Sequence, residues 1–200
     1  MENEILLLHK EKKIAIQNRL NDFKKLNEEE QFKEMIFCLL TPQSNAKKCW
    51  QAVEKVSELK NWQKEKIVNI LKEHTRFHNN KAGYLMNAKE TWKIIKPMLD
   101  EKDRLKLRNN VSDAVKGYGL KEASHFLRNI GKSDNQIAIL DRHILRNLKT
   151  LNVIEDEKIK NSKHYLEIEQ KFIEFSKNVK IPIDELDLLF WSKENGEIFK

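Results

Sequence analysis

Two side chains twenty residues apart carry the reactive chemistry of this chain. Lys121 stands two residues past a Gly-x-Gly turn (Gly117, Tyr118, Gly119), and Asp141 heads a later helix. In the first turn of a helix the dipole disfavours a cation. It therefore favours the free amine, a nucleophile able to form a Schiff base. A carboxylate at Asp141 can stabilise a developing oxocarbenium ion or handle proton transfers. Its plain structural role is a helix N-cap, compatible with both tasks. A helix and a loop separate the two residues, enough chain to return to the turn.

The turn has a use of its own. Gly117 and Gly119 allow positive φ and close backbone approach. The helix that follows presents free N–H groups and the positive end of its dipole. With Lys116 and Lys121 flanking it, the natural ligand is a phosphate, gripped through the backbone and not read for sequence. Taken alone, the turn fits a tightly packed helical corner equally well.

These residues need helices to place them. Only 5 Gly and 3 Pro in 200 residues point to long helices with short connections. Apolar spacing predicts an all-α chain of about ten helices. Residues 3–25 read as one helix, broken at most once. Asn27 before three glutamates starts a second, apolar nearly all round through Leu40. Thr41-Pro42-Gln43-Ser44-Asn45 breaks it, and Ser44 or Asn45 caps the next, 46–59. Further helices are expected at 61–71, 82–98, 102–115, 122–130, 142–151, 156–179 and 184–192. Gly131 is a C′ glycine, and 137–140 is a short extended or strand-like piece. The expected organisation is a central lobe, 31–135, ending in the hairpin, and a second lobe built from 1–30 and 136–200.

The formal net charge is +7, and residues 51–150 alone carry +9 (21 Lys and Arg against 12 Asp and Glu). The excess surrounds the hairpin and favours a polyanion such as nucleic acid, although a solvated lysine-rich surface accounts for it as well. Cys38 and Cys49 are too few for a four-thiolate zinc or iron–sulfur site, and both are expected to stay reduced. No apolar run approaches about 20 residues, so no membrane span is expected. The N-terminus lacks a signal-peptide layout, and a cytoplasmic protein is expected. The histidines show no metal-ligand spacing, so no metal site is expected.

The stretch Val115 to Ala123 (VKGYGLKEA), followed by Ile139-Leu140-Asp141, resembles the helix-hairpin-helix DNA glycosylase superfamily, the group of endonuclease III. The wording KEASHFLRNIG…DRHILRNL and the closing WSKENGEIFK are similar to its second class of 8-oxoguanine DNA glycosylase/lyases. With LLTPQSNA and RFHNNKA, the resemblance covers about Phe32 to Lys200. It implies two helical lobes with the active-site cleft between them. It also implies that Lys121 attacks the anomeric carbon, expels the oxidised base and nicks the strand by β-elimination, with Asp141 as acidic partner. The base would be flipped out of the duplex. Gln43 matches a duplex-wedging position and Phe77 an intercalating aromatic; polar or aromatic loop tips suit such invasion. Trp191 and the terminal carboxylate of Lys200 match elements used at the flipped base. The carboxylate could accept a hydrogen bond from N7–H of 8-oxoguanine, a donor guanine lacks. The missing cluster cysteines fit this smaller class, which implies no required cofactor and leaves room for a monovalent cation at the hairpin carbonyls. The implied partner is double-stranded DNA containing 8-oxoguanine, bound by a monomer associated with the nucleoid.

Two rivals stand beside this reading. One is a non-catalytic hairpin module that binds DNA, which would need neither Lys121 nor Asp141. The other is the same chemistry on another oxidised base, against which the C-terminal tail argues.

Overall fold

The computed structural model describes residues 2–200, and among them it has eleven α-helices, one 3-10 turn and no strand. The chain divides into two compact units: Leu26–Phe126, and Met1–Lys25 with Leu127–Lys200.

The central unit holds α2 (Glu28–Leu40), α3 (Ala46–Ser57), α4 (Lys64–His74), α5 (His78–Met86), α6 (Ala88–Ile95), the 3-10 turn Lys96–Asp100 and α7 (Arg104–Ala114). It also holds the first part of α8 (Leu120–Asn129). Asn27 caps α2 in a capping box with Glu30, which satisfies two orphan N–H groups. Its last six residues, Met35 to Leu40, are all buried, so this helix is the centre of the core. Each such side chain contributes about 1.5–3 kcal/mol on burial. Phe32 packs on Trp62 and Trp92 at 6.1 and 5.7 Å.

The single helix expected over 82–98 is two helices and a 3-10 turn: α5 starts at His78, and Asn87 separates it from α6. Pro97 sits at the start of the 3-10 turn rather than ending a helix, since a helix's first turn has no use for its missing N–H. The helix expected from residue 61 begins only at Lys64.

The terminal unit holds α1 (Glu2–Lys24), unbroken, α9 (Arg142–Thr150), α10 (Ser162–Val179), α11 (Ile183–Asn195) and the end of α8. Residues 156–161, expected as helix, are irregular, and Asn161 caps α10 instead. Helix α1 packs along α11, burying Ile5, Ile16 and Phe23. Helix α8 closes on Gly131 (φ +67), with Gly131 N–H donating to the Arg128 carbonyl and Lys132 N–H to that of Leu127. This is a Schellman motif. A Cβ at Gly131 would lie 2.5 and 2.9 Å from Lys24 Cγ and Cα, so α1 itself demands a glycine there. The division falls inside α8, because Arg128 already belongs with Phe23 and Asp187 of the terminal unit.

Candidate active site

In the central unit the hairpin closes with Tyr118 N–H donating to the Val115 carbonyl at 3.0 Å. Tyr118 Oη anchors the turn by donating to the Met35 carbonyl of α2 at 2.8 Å. Gly117 has φ +101, and a Cβ there would lie 2.7 Å from the Tyr84 ring, so conformation and space both require glycine. Lys116 and Gly117 are exposed at the tip. Lys121 is in the first turn of α8, its side chain 26% exposed.

Its nearest partner is one the sequence reading missed. Glu122 Oε1 lies 2.8 Å from Lys121 Nζ, and Glu122 Oε2 accepts the Gly119 N–H at 3.1 Å. The spacing from Gly119 to Glu122 is that of the acidic half of a capping box, which is the signal that could have exposed it. Part of the anion-binding capacity expected of this helix end is thus met from within.

Two loops of the same unit carry the other expected tips. The Thr41–Ser44 turn closes with Ser44 N–H donating to Thr41 at 3.0 Å. Gln43, exposed at its tip, has φ 55. Phe77 is 54% exposed, with φ 58 and ψ 35. Left-handed backbone costs a non-glycine residue about 1–2 kcal/mol, and it collects at functional sites. An exposed phenylalanine in that conformation serves no packing need.

In the terminal unit Asp141 caps α9. Its Oδ1 accepts the N–H groups of His143 (2.8 Å) and Ile144 (2.9 Å), and its Oδ2 accepts Trp191 Nε1–H at 2.9 Å. Asp141 and Trp191, read separately from the sequence, therefore stand together. The Trp191 ring meets His143 edge-on at 5.7 Å.

The segment leading to Asp141 is irregular and pairs with no strand; α10 holds it. Tyr165 Oη donates to the Ala138 carbonyl at 2.6 Å, and Glu169 Oε1 accepts Ala138 N–H at 2.7 Å. Lys200 is buried, and Arg19 Nε donates to the neighbouring Phe199 carbonyl at 2.6 Å. A polar cavity of about 260 Å³ in this unit, lined among others by Gln17, Asn21, Arg128, Asn135 and Asp184, contains none of the expected site residues. Among the described residues no group of three or more His, Cys, Asp or Glu is arranged to hold a metal ion.

A sequence model described as 8-oxoguanine DNA glycosylase matches residues 16–181. The chain belongs to that family. The 8-oxoguanine DNA glycosylase/AP lyase of Fusobacterium nucleatum is 42% identical, over 99% of this chain and 97% of its own length. That of Sulfolobus acidocaldarius is 32% identical, with 98% of each chain covered. The crystal structure of the Thermotoga maritima 8-oxoguanine DNA glycosylase aligns with TM-score 0.90 at 28% identity, over 100% of this chain and 98% of that one. The Methanocaldococcus jannaschii glycosylase/lyase, in complex with a 15mer DNA containing 8-oxoguanine, aligns with TM-score 0.88 at 32% identity, over 100% and 99%. The family resemblance and the all-α, helix-hairpin-helix class are both borne out. No described helix is long and apolar enough to cross a membrane.

Proposed function

We propose that this protein excises 8-oxoguanine from double-stranded DNA and nicks the strand at the resulting abasic site, with Lys121 as nucleophile. The observation that carries this reading is a lysine in the first turn of the hairpin's second helix, in a chain that belongs to this glycosylase family.

Lys121 sheds a proton and its contact with Glu122, and the free amine attacks C1′. The glycosidic bond breaks, its electron pair leaves with the base, and the base takes up a proton. Ring opening gives a Schiff base between Nζ and C1′. Loss of a C2′ proton then expels the 3′ phosphate by β-elimination. Asp141 offsets the positive charge that develops on the sugar. Three N–H donors hold its two oxygens, so the group is already oriented.

Lys116, Gly117 and Gly119 grip the backbone, Gln43 and Phe77 enter the duplex as the lesion is extruded, and Trp191 and Lys200 meet the base. The protein works as a monomer in the cytoplasm, on the nucleoid. The chemistry calls for no cofactor. Two hairpin carbonyls, of Val115 and Gly119, already accept N–H groups. A monovalent cation there would share such carbonyls, and no step is routed through it.

Borohydride trapping on an 8-oxoguanine duplex tests the reading. The wild type gives a covalent adduct, and Lys121→Gln gives none. No adduct with the wild type removes the lyase assignment, and an undiminished adduct with the variant moves the nucleophile elsewhere.

A further inference from the structure

Lys81 is 4% exposed, a rare state for a lysine. Its Nζ donates to the carbonyls of Leu40 (2.7 Å) and Pro42 (2.9 Å) and to the hydroxyls of Ser44 (3.0 Å) and Thr75 (2.6 Å). Leu40 ends α2 at the foot of the loop that carries Gln43, and Pro42 and Ser44 belong to that loop. Thr75 belongs to the loop that carries Phe77. The two loops are also joined directly. Ser44 Oγ and Thr75 Oγ1 lie 2.7 Å apart, and Arg76 N–H donates to Ser44 Oγ at 3.0 Å. Lys81's own N–H donates to the Phe77 carbonyl at 3.0 Å. One residue thus fastens both strained tips.

The arrangement is not an ion pair. All four acceptors are neutral, and the titratable groups that face the ammonium are the Cys49 thiol on α3 and Lys121 on α8. A buried cation without a carboxylate is costly, and core packing alone gives no reason for it. Its four partners give a reason: an ammonium brings three N–H donors that draw oxygens of both loops to one point.

We propose that Lys81 is a positioning residue that locks the Gln43 and Phe77 loops at one spacing, so that both tips enter the duplex together. This rests on the reading of those tips as duplex-invading. Burial, opposed by Cys49 and reinforced by Lys121, pushes the ammonium down to about 8. The lowered value means that charging costs the fold energy, a cost relieved as pH rises from about 8 towards 10.5. What is lost above about 8 is the third N–H, so Lys81 donates one fewer hydrogen bond to the loops.

The test compares wild type and Lys81→Met on two substrates, an 8-oxoguanine duplex and a single strand with a preformed abasic site. The single strand has no stack to invade. Excision from the duplex falls roughly 100-fold in the variant, the scale of a misplaced positioning group, far beyond any change in single-strand nicking that follows from removing the charge facing Lys121. In the wild type, the ratio of duplex excision to single-strand nicking falls as pH rises through about 8; in the variant it is flat. Equal loss on both substrates, or a wild-type ratio that does not move with pH, overturns the proposal. The wild-type ratio stands as a test even if the variant fails to fold. A wild type that excises nothing overturns the glycosylase reading instead.

Discussion

Lys81 and Asp187 are both ionisable, both nearly cut off from water, and surrounded in opposite ways. Around Lys81 stand four neutral oxygens at 2.6–3.0 Å, every one in hydrogen-bonding position. Asp187 has an opposite charge instead: Arg128 Nη2 lies 2.9 Å from its Oδ2. Arg128 acts on the Asp187 carboxyl as a weak hydrogen-bond donor, but neither Asp187 oxygen meets it in good alignment. The pair meets in distance and not in direction. Burial pushes the Asp187 carboxyl up to about 7; Arg128 opposes the rise, and the carboxylates of Asp141 and Asp184 add to it. The difference teaches that charge balance and positional order are separate achievements. Directed donors fix the loops around Lys81, whereas Arg128 balances a charge without fixing an orientation.

The comparison can be broken most directly by truncation. Asp187→Ala leaves the buried Arg128 guanidinium with only the Asp184 carboxyl facing it, and should lower unfolding stability by about 3–5 kcal/mol. Lys81→Met takes donors away from neutral oxygens that keep other partners and should cost less, about 1–3 kcal/mol. Urea unfolding of both variants checks the order, and the reverse order breaks the contrast.

A pH series sharpens it. A folded pKa raised from 3.8 to about 7 means the folded protein binds a proton that the unfolded chain has released. The stability this contributes is fully present below pH 3.8 and is lost as pH rises through about 7. Relative to Asp187→Asn, which cannot titrate, the wild type should therefore lose stability across that window. The slope is at most about 1.4 kcal/mol per pH unit, one proton's worth.

The smallest effect is at Asp141, a third carboxylate, which resembles Lys81 in being held by directed bonds. Trp191→Phe removes one of its three donors and should slow excision about 2- to 10-fold, the worth of one hydrogen bond of about 0.5–1.5 kcal/mol. A loss beyond about 100-fold would exceed that hydrogen bond, and would assign Trp191 a larger part at the base itself.

Much of this was legible in the residues. Helix spacing, the Asn27 and Asp141 caps and the Gly131 terminator are local signals, and each appears in the structure where its chemistry demands. The break at Asn87 left no such mark, because Ala82–Met98 keeps an apolar rhythm across it. Residues 156–161 look helical in composition, but Asn161 starts the helix later. Lys81 was illegible for another reason. Nothing in HNNKA separates a buried lysine from a solvated one, and its partners come from as far as 41 residues away. Trp191 and Asp141 are 50 residues apart, so only the fold could join them.

The terminal unit is assembled from two stretches of chain with a whole unit encoded between them. At synthesis rates of about 5–20 residues per second, the roughly 160 residues between α1 and α11 take about 8–32 s to make. Over that interval the Leu26–Phe126 segment is completed, while Ile5 and Ile16 have not yet met the helix α1 packs along. Lys121 is therefore made before Asp141, and the new chain passes through a stage with the hairpin residues present and no Asp141 corner.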